Sequence, residues 1–90
     1  MNPITPYNIV RHELIGLEVK VSSSSNPYLK GISGIVVDET KNMLFIEGSD
    51  GRVRKVPKSC CKFKFKLPSG VIVEVDGWVI VGRPEDRLTR

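Results

Sequence analysis

A chain of 90 residues, 40% hydrophobic and 27% charged, makes one domain with a modest core, and its net charge of +4 is a mild excess whose placement matters more than its size. No apolar run approaches the roughly 20 residues that span a bilayer, and residues 1–15 have neither the apolar core nor the small-residue cleavage site of a signal peptide. The two cysteines, Cys60 and Cys61, are adjacent, so they make no disulfide framework and suit a reducing, cytoplasmic setting.

Residues 1–5 read as a lead. Thr5 is a suitable N-cap and Pro6 a suitable first helical residue. Tyr7, Val10 and Leu14 follow at i, i+3, i+7, so the spacing predicts a short helix over 6–15, ended by Gly16 in a left-handed conformation. Its stripe either caps one mouth of the fold or docks a protein partner.

Residues 17–22 alternate, with Leu17, Val19 and Val21 on one face and Glu18, Lys20 and Ser22 on the other, which is the pattern of a half-buried strand. Residues 22–27 are a loop with no order signal of their own. Residues 31–48 are the centre of the chain: Ile32, Ile35, Val36 and Val37 lead into a polar break at 38–42, and Met43, Leu44, Phe45 and Ile46 lead out, as in a β-hairpin. Gly34 inside the first arm marks a bend or a close backbone approach.

After the turn at 49–51, residues 52–56 form the next strand, with Arg52 and Arg54 on one face. Lys55 shares the other face with Val53, which points to a bulge or a sheet edge, and Pro57 agrees with an edge. Residues 62–67 alternate most clearly, with Phe63, Phe65 and Leu67 opposite Lys62, Lys64 and Lys66. Past the turn at 68–70, Val71, Val73 and Val75 share a face. Asp76-Gly77 reads as a primed two-residue hairpin turn, with 78–81 as the returning strand. Pro84-Glu85-Asp86 opens a short helix.

Six or seven short strands at about ten-residue spacing indicate an all-β barrel or sandwich. The glycine-bent centre favours a strongly bent antiparallel barrel over 17–82, preceded by a lead and short helix over 1–16 and followed by a tail or short helix over 83–90.

Catalytic signals are few. His12 is the sole histidine and has no serine or cysteine near it in sequence, and His12, Cys60 and Cys61 are no zinc set. The carboxylates fall mostly in turns, and no phosphate-cradling glycine loop is present. The cationic pattern carries more. Arg52, Arg54, Lys55, Lys58, Lys62, Lys64 and Lys66, half of the basic residues, lie between Gly51 and Lys66 with no acidic residue among them. If these two consecutive strands pair, their outward rows lie roughly 5 Å apart, and a polyanion would relieve the repulsion while releasing counterions. The other reading is a solvated edge whose lysines deter aggregation. Arg11, Lys20, Lys30, Lys41, Arg83 and Arg87 interleave with acids and are less informative; of these, Arg11, Lys20, Arg83 and Arg87 form a weaker second group of RNA-binding candidates. Tyr28 and Trp78 are candidate stacking residues, with packing the more expected role for Trp78.

Several strings then occur in order: His12-Glu13-Leu14-Ile15-Gly16-Leu17-Glu18-Val19, Gly34-Ile35-Val36-Val37-Asp38-Glu39-Thr40-Lys41-Asn42, Lys55-Val56-Pro57-Lys58, Val75-Asp76-Gly77 and Gly82-Arg83-Pro84-Glu85-Asp86-Arg87. Together, over residues 7–87, they closely resemble the archaeal ribonuclease P protein component 1 family, relatives of the eukaryotic Pop4-type subunit. Cys60-Cys61 is not part of that pattern and receives no role. The resemblance implies an Sm-like bent barrel and a subunit of the endoribonuclease that removes the 5′ leader from precursor tRNA. It implies that the RNA carries the active site and its magnesium, with no catalytic, metal or cofactor residue in this chain. It implies ribonuclease P RNA and a zinc-ribbon protein subunit as partners, precursor tRNA as an indirect one, no membrane association, and a monomer in isolation. Tyr7, Val10 and Leu14 inherit the protein-partner role. The alternative is an Sm-like or SH3-like RNA-binding module acting as an RNA chaperone or ribosomal factor.

Overall fold

The computed structural model describes residues 4–87. Six strands, β1 (Glu18–Ser24), β2 (Ser33–Glu39), β3 (Met43–Glu47), β4 (Val53–Pro57), β5 (Cys61–Lys66) and β6 (Ile72–Asp76), form one sheet in the order β4-β3-β2-β1-β5-β6. Every neighbouring pair is antiparallel. A 3-10 turn at Ile9–Arg11 precedes the sheet; another at Gly77–Ile80 and the four-residue helix α1 (Pro84–Arg87) follow it.

The alternation in β5 is realised: Phe63, Phe65 and the following Leu67 are buried, and Lys62, Lys64 and Lys66 are exposed. The same inner face receives Val19 and Val21 from β1, Val36 from β2, Leu44 and Ile46 from β3, Val56 from β4 and Val75 from β6. Among the described residues no second layer of comparable size covers it. A flat sheet would leave this face wet, so the sheet curls around its own apolar side, and Ile9, Leu14, Leu17 and Ile80 help to close it. The strongly bent antiparallel barrel expected over 17–82 is an antiparallel six-stranded sheet that does not close: β4 and β6 each pair along one side only.

Gly34 explains part of the curl. β2 pairs with β1 through Ser33–Ile35 and with β3 through Ile35–Glu39, so it changes neighbour at Ile35. A Cβ at Gly34 would lie 2.0 Å from the Glu47 carbonyl oxygen. Bulges at Val21/Ser23 and Val36/Asp38 add further bend. No bulge interrupts β4, whose register with β3 is continuous; its mixed pattern marks an edge.

Three further expectations are corrected. The helix over 6–15 is a single 3-10 turn, after which His12 is extended. In a continued helix the carbonyls of Val10 and His12 would accept from residues 14 and 16. Here Arg87 donates to both, and the Gly16 N–H goes to the Val36 carbonyl instead. Gly16 does take a positive φ of 95°. Asp76-Gly77 is no hairpin turn, and 78–81 is no seventh strand. Gly77 serves close approach: a Cβ there would lie 1.7 Å from the Lys58 carbonyl oxygen, and the chain coils into the 3-10 turn that sends Ile80 into the core and leaves Trp78 outside. Finally, β4 and β5 are consecutive but not paired. β5 lies between β1 and β6, so the two basic rows are not neighbours.

Candidate nucleic-acid interface

The outer face of the sheet carries the exposed charge. One row crosses all six strands through Val53, Glu47, Ile35, Glu18, Lys66 and Ile72; the next runs through Ser33, Lys20, Lys64 and Glu74. Lys62 faces Asp76, with Nζ 3.8 Å from Oδ1 in an exposed pair that contributes little to stability. Between these rows a groove of about 490 Å3 has the half-exposed Ile35 and the exposed Ile72 among its walls, together with Lys20, Lys64, Lys66, Glu18 and Glu47. Its lining is mainly apolar, and its lysines come from β1 and β5.

The members of the predicted basic cluster separate. Lys62, Lys64 and Lys66 stand together on β5, and Lys20 joins them from β1. Arg52 and Lys55 are exposed on the far edge strand and its turn. Arg54 shares the inward row with Val56, so Val53, not Arg54, faces out from β4. The Arg54 guanidinium reaches Asp50 at 3.0 Å. That hydrogen bond, with the Arg52 N–H beside it, holds the Asp50 carboxyl below its ordinary value and raises Arg54. Arg11 and Arg83 are brought together near the chain ends, in a second hollow of about 560 Å3 that also has Glu13 and Glu85 among its walls. Arg54 and this pair of arginines are thus each matched by nearby carboxylates.

Two predicted RNA contacts are corrected outright. Lys58 and Arg87 are fully buried. Lys58 Nζ donates to Glu39 Oε2 at 2.7 Å and to the carbonyls of Thr40 and Gly82 at 2.8 and 2.9 Å. Arg87 donates to the same carboxylate oxygen and to the carbonyls of Val10, His12, Ile80 and Gly82. Both cations are structural: they tie the end of β2, the N-terminal turn and α1 into one knot. Glu39, read from sequence as a turn carboxylate, is the anion at its centre, and no local pattern marks it.

The partner stripe is corrected too. Leu14 is wholly buried and Val10 packs against the core, while Tyr7 is 96% exposed. Ile9, one residue off the stripe, is buried as well. Of the stacking candidates, Tyr28 and Trp78 are both exposed, so Trp78 is not the packing residue its type suggests. Among the described residues no group of three or more His, Cys, Asp or Glu side chains is placed to hold a metal ion. Cys60 and Cys61 are free thiols with sulfurs 3.6 Å apart, and burial pushes the Cys61 thiol up.

A family model described as ribonuclease P/MRP, subunit p29, matches residues 7–90. The ribonuclease P protein component 1 of Methanothermobacter thermautotrophicus is 53% identical over 87 residues, which cover 97% of this chain and 94% of that protein. Its counterpart in Methanocaldococcus jannaschii is 52% identical over 87 residues, covering 97% and 90%. A solved structure, that of Mth11, a homologue of human RNase P protein Rpp29, aligns with a TM-score of 0.62 at 53% identity over 84% of this chain and 97% of that one.

Proposed function

Since this chain belongs to the ribonuclease P/MRP p29 family and is a protein component of the ribonuclease P holoenzyme, we propose that its outer sheet face binds the ribonuclease P RNA and so supports removal of the 5′ leader from precursor tRNA. The observation that carries this reading is the row Lys62, Lys64 and Lys66, exposed on β5 while Phe63, Phe65 and Leu67 anchor the same strand from beneath. A strand buried on one side and cationic on the other holds its ammonium groups on a rigid base. Lysine–phosphate contacts of this kind position an RNA without reading its bases. In this reading the active site and its magnesium belong to the RNA, in the cytoplasm, and this chain contributes scaffold. The surface at the chain ends, with Tyr7 and Ile15 exposed and Arg11 and Arg83 set among Glu13 and Glu85, suits a protein partner; we assign it to the zinc-ribbon subunit.

The triple variant Lys62→Ala, Lys64→Ala, Lys66→Ala tests the RNA face. It leaves the buried row untouched, so its melting temperature should match the wild type or rise slightly. Its affinity for ribonuclease P RNA should fall, and the salt dependence should flatten by roughly 0.7–0.9 in logarithmic slope for each phosphate that is no longer neutralised. Unchanged affinity and slope in the folded variant would reject this face.

A further inference from the structure

Lys20 and Lys64 are direct cross-strand partners on the outer face of β1 and β5. Side chains so placed have Cβ atoms about 5 Å apart, and like charges there repel. A third lysine is brought to the same place by the loop between β1 and β2. That loop is held by its own hydrogen bonds, Asn26 N–H to Ser24 Oγ, Tyr28 N–H to Asn26 Oδ1 and Leu29 N–H to the Asn26 carbonyl, and by one to the turn before β5, Ser25 N–H to the Cys60 carbonyl. Gly31, at a φ of 90°, then turns the chain back so that its N–H meets the Val21 carbonyl at 2.9 Å. The turn carries Lys30 over β1. Lys20, Lys30 and Lys64 line one hollow of about 240 Å3, completed by Val21, Ser22 and Gly31.

No carboxylate lines this hollow. The nearest candidate by register is Glu74, opposite Lys64, and its Oε2 accepts from the Ser22 hydroxyl at 3.0 Å. Among the described residues, none of the three lysines forms an ion pair, whereas Lys62, Lys58, Arg54 and Arg87 all do. Three lysines from three chain segments thus line one hollow whose wall holds no carboxylate, Lys20 and Lys64 on paired strands and Lys30 on a loop held by hydrogen bonds.

We infer that Lys20, Lys30 and Lys64 form a single phosphate-binding subsite, occupied by one phosphodiester group of the ribonuclease P RNA. This rests on the RNA reading above and deepens it by naming a shared phosphate and by adding Lys30, which the sequence pattern set aside. One tetrahedral anion accepts hydrogen bonds from several donors at once, so three lysines on one phosphate satisfy both charge and geometry.

The salt dependence of RNA binding distinguishes a shared phosphate from three separate ones. The full chain and its ribonuclease P RNA are titrated at several salt concentrations, as wild type, Lys30→Gln, Lys30→Arg and the triple Lys20→Gln, Lys30→Gln, Lys64→Gln. Lys30→Gln should weaken binding, Lys30→Arg should restore it, and the triple should flatten the logarithmic salt slope by roughly 0.7–0.9, the value for one phosphate. A drop of about 2 or more would mean three separate phosphates and overturn the shared subsite. Wild-type affinity and slope in Lys30→Gln would overturn it while leaving the RNA reading standing; no salt-dependent binding by the wild type would instead overturn the RNA reading. Inorganic phosphate supplies the last arm: if it shifts the Lys30 side-chain NMR signals while Lys30→Gln binds RNA like wild type, the hollow takes free phosphate and the assignment to RNA fails.

Discussion

Replacing Glu39 by glutamine preserves shape and removes one charge, at the place where the fold depends most on charge. The Glu39 side chain is 1% exposed, and its Oε2 accepts from both Lys58 and Arg87, whose side chains are 0% exposed. Two buried cations share one carboxylate, and their further acceptors include the backbone carbonyls of Thr40, Lys41, Val10, His12, Ile80 and Gly82. Those dipoles solvate the cations but do not neutralise them. Removing one member of a buried ionic group typically costs about 3–5 kcal/mol, because the remaining charge is left uncompensated in a low dielectric. At about 0.05–0.15 kcal/mol per residue, a 90-residue domain has roughly 5–13 kcal/mol in total. Glu39→Gln should therefore remove a quarter or more of the stability and lower the melting temperature by at least about 12 °C, at roughly 4–8 °C per kcal/mol. Exchanging all three residues for apolar ones should not rescue the protein, since the carbonyls now served by Lys58 and Arg87 would be left without donors. Urea unfolding followed by circular dichroism measures the loss as a shift in midpoint at constant slope. A loss below about 1 kcal/mol would refute the reasoning and mean that water, not Glu39, balances the two cations.

Gly34→Ala should cost about 1–3 kcal/mol or more, as overpacking does, because its Cβ would meet the Glu47 carbonyl at 2.0 Å and neither strand can yield cheaply; wild-type thermal stability in that variant would contradict the close crossing. The Asp50 carboxyl, held low by Arg54, favours the folded state when ionised. Its contribution is therefore present above the ordinary carboxylate value of 3.8 and is lost as pH falls through the lower folded value. The stability difference between wild type and Asp50→Asn, followed by thermal melting against pH, should vanish in acid; a difference that persists there would refute the pairing.

What the sequence alone determined is local. Period-two alternation in 62–67 set which side chains of β5 are core and which are solvent, because each strand residue's face depends only on its neighbours. The mixed pattern and Pro57 marked β4 as an edge, and Gly34 announced a bend. The ordered strings were sufficient for the family, since they span nearly the whole chain. Where the reading failed, the cause was contact between distant residues. Lys58 and Arg87 are written like any surface cation; they are buried because Glu39, separated by 19 and 48 residues, meets them inside. The helix over 6–15 stopped early because Arg87 took carbonyls its continuation needed. Consecutive strands β4 and β5 looked paired, yet the order of the sheet set them apart and put Lys64 beside Lys20 instead. Propensity and alternation are settled within a few residues, whereas burial of a charge and the gathering of lysines depend on which distant segments the curled sheet brings together, and that only the tertiary structure decided.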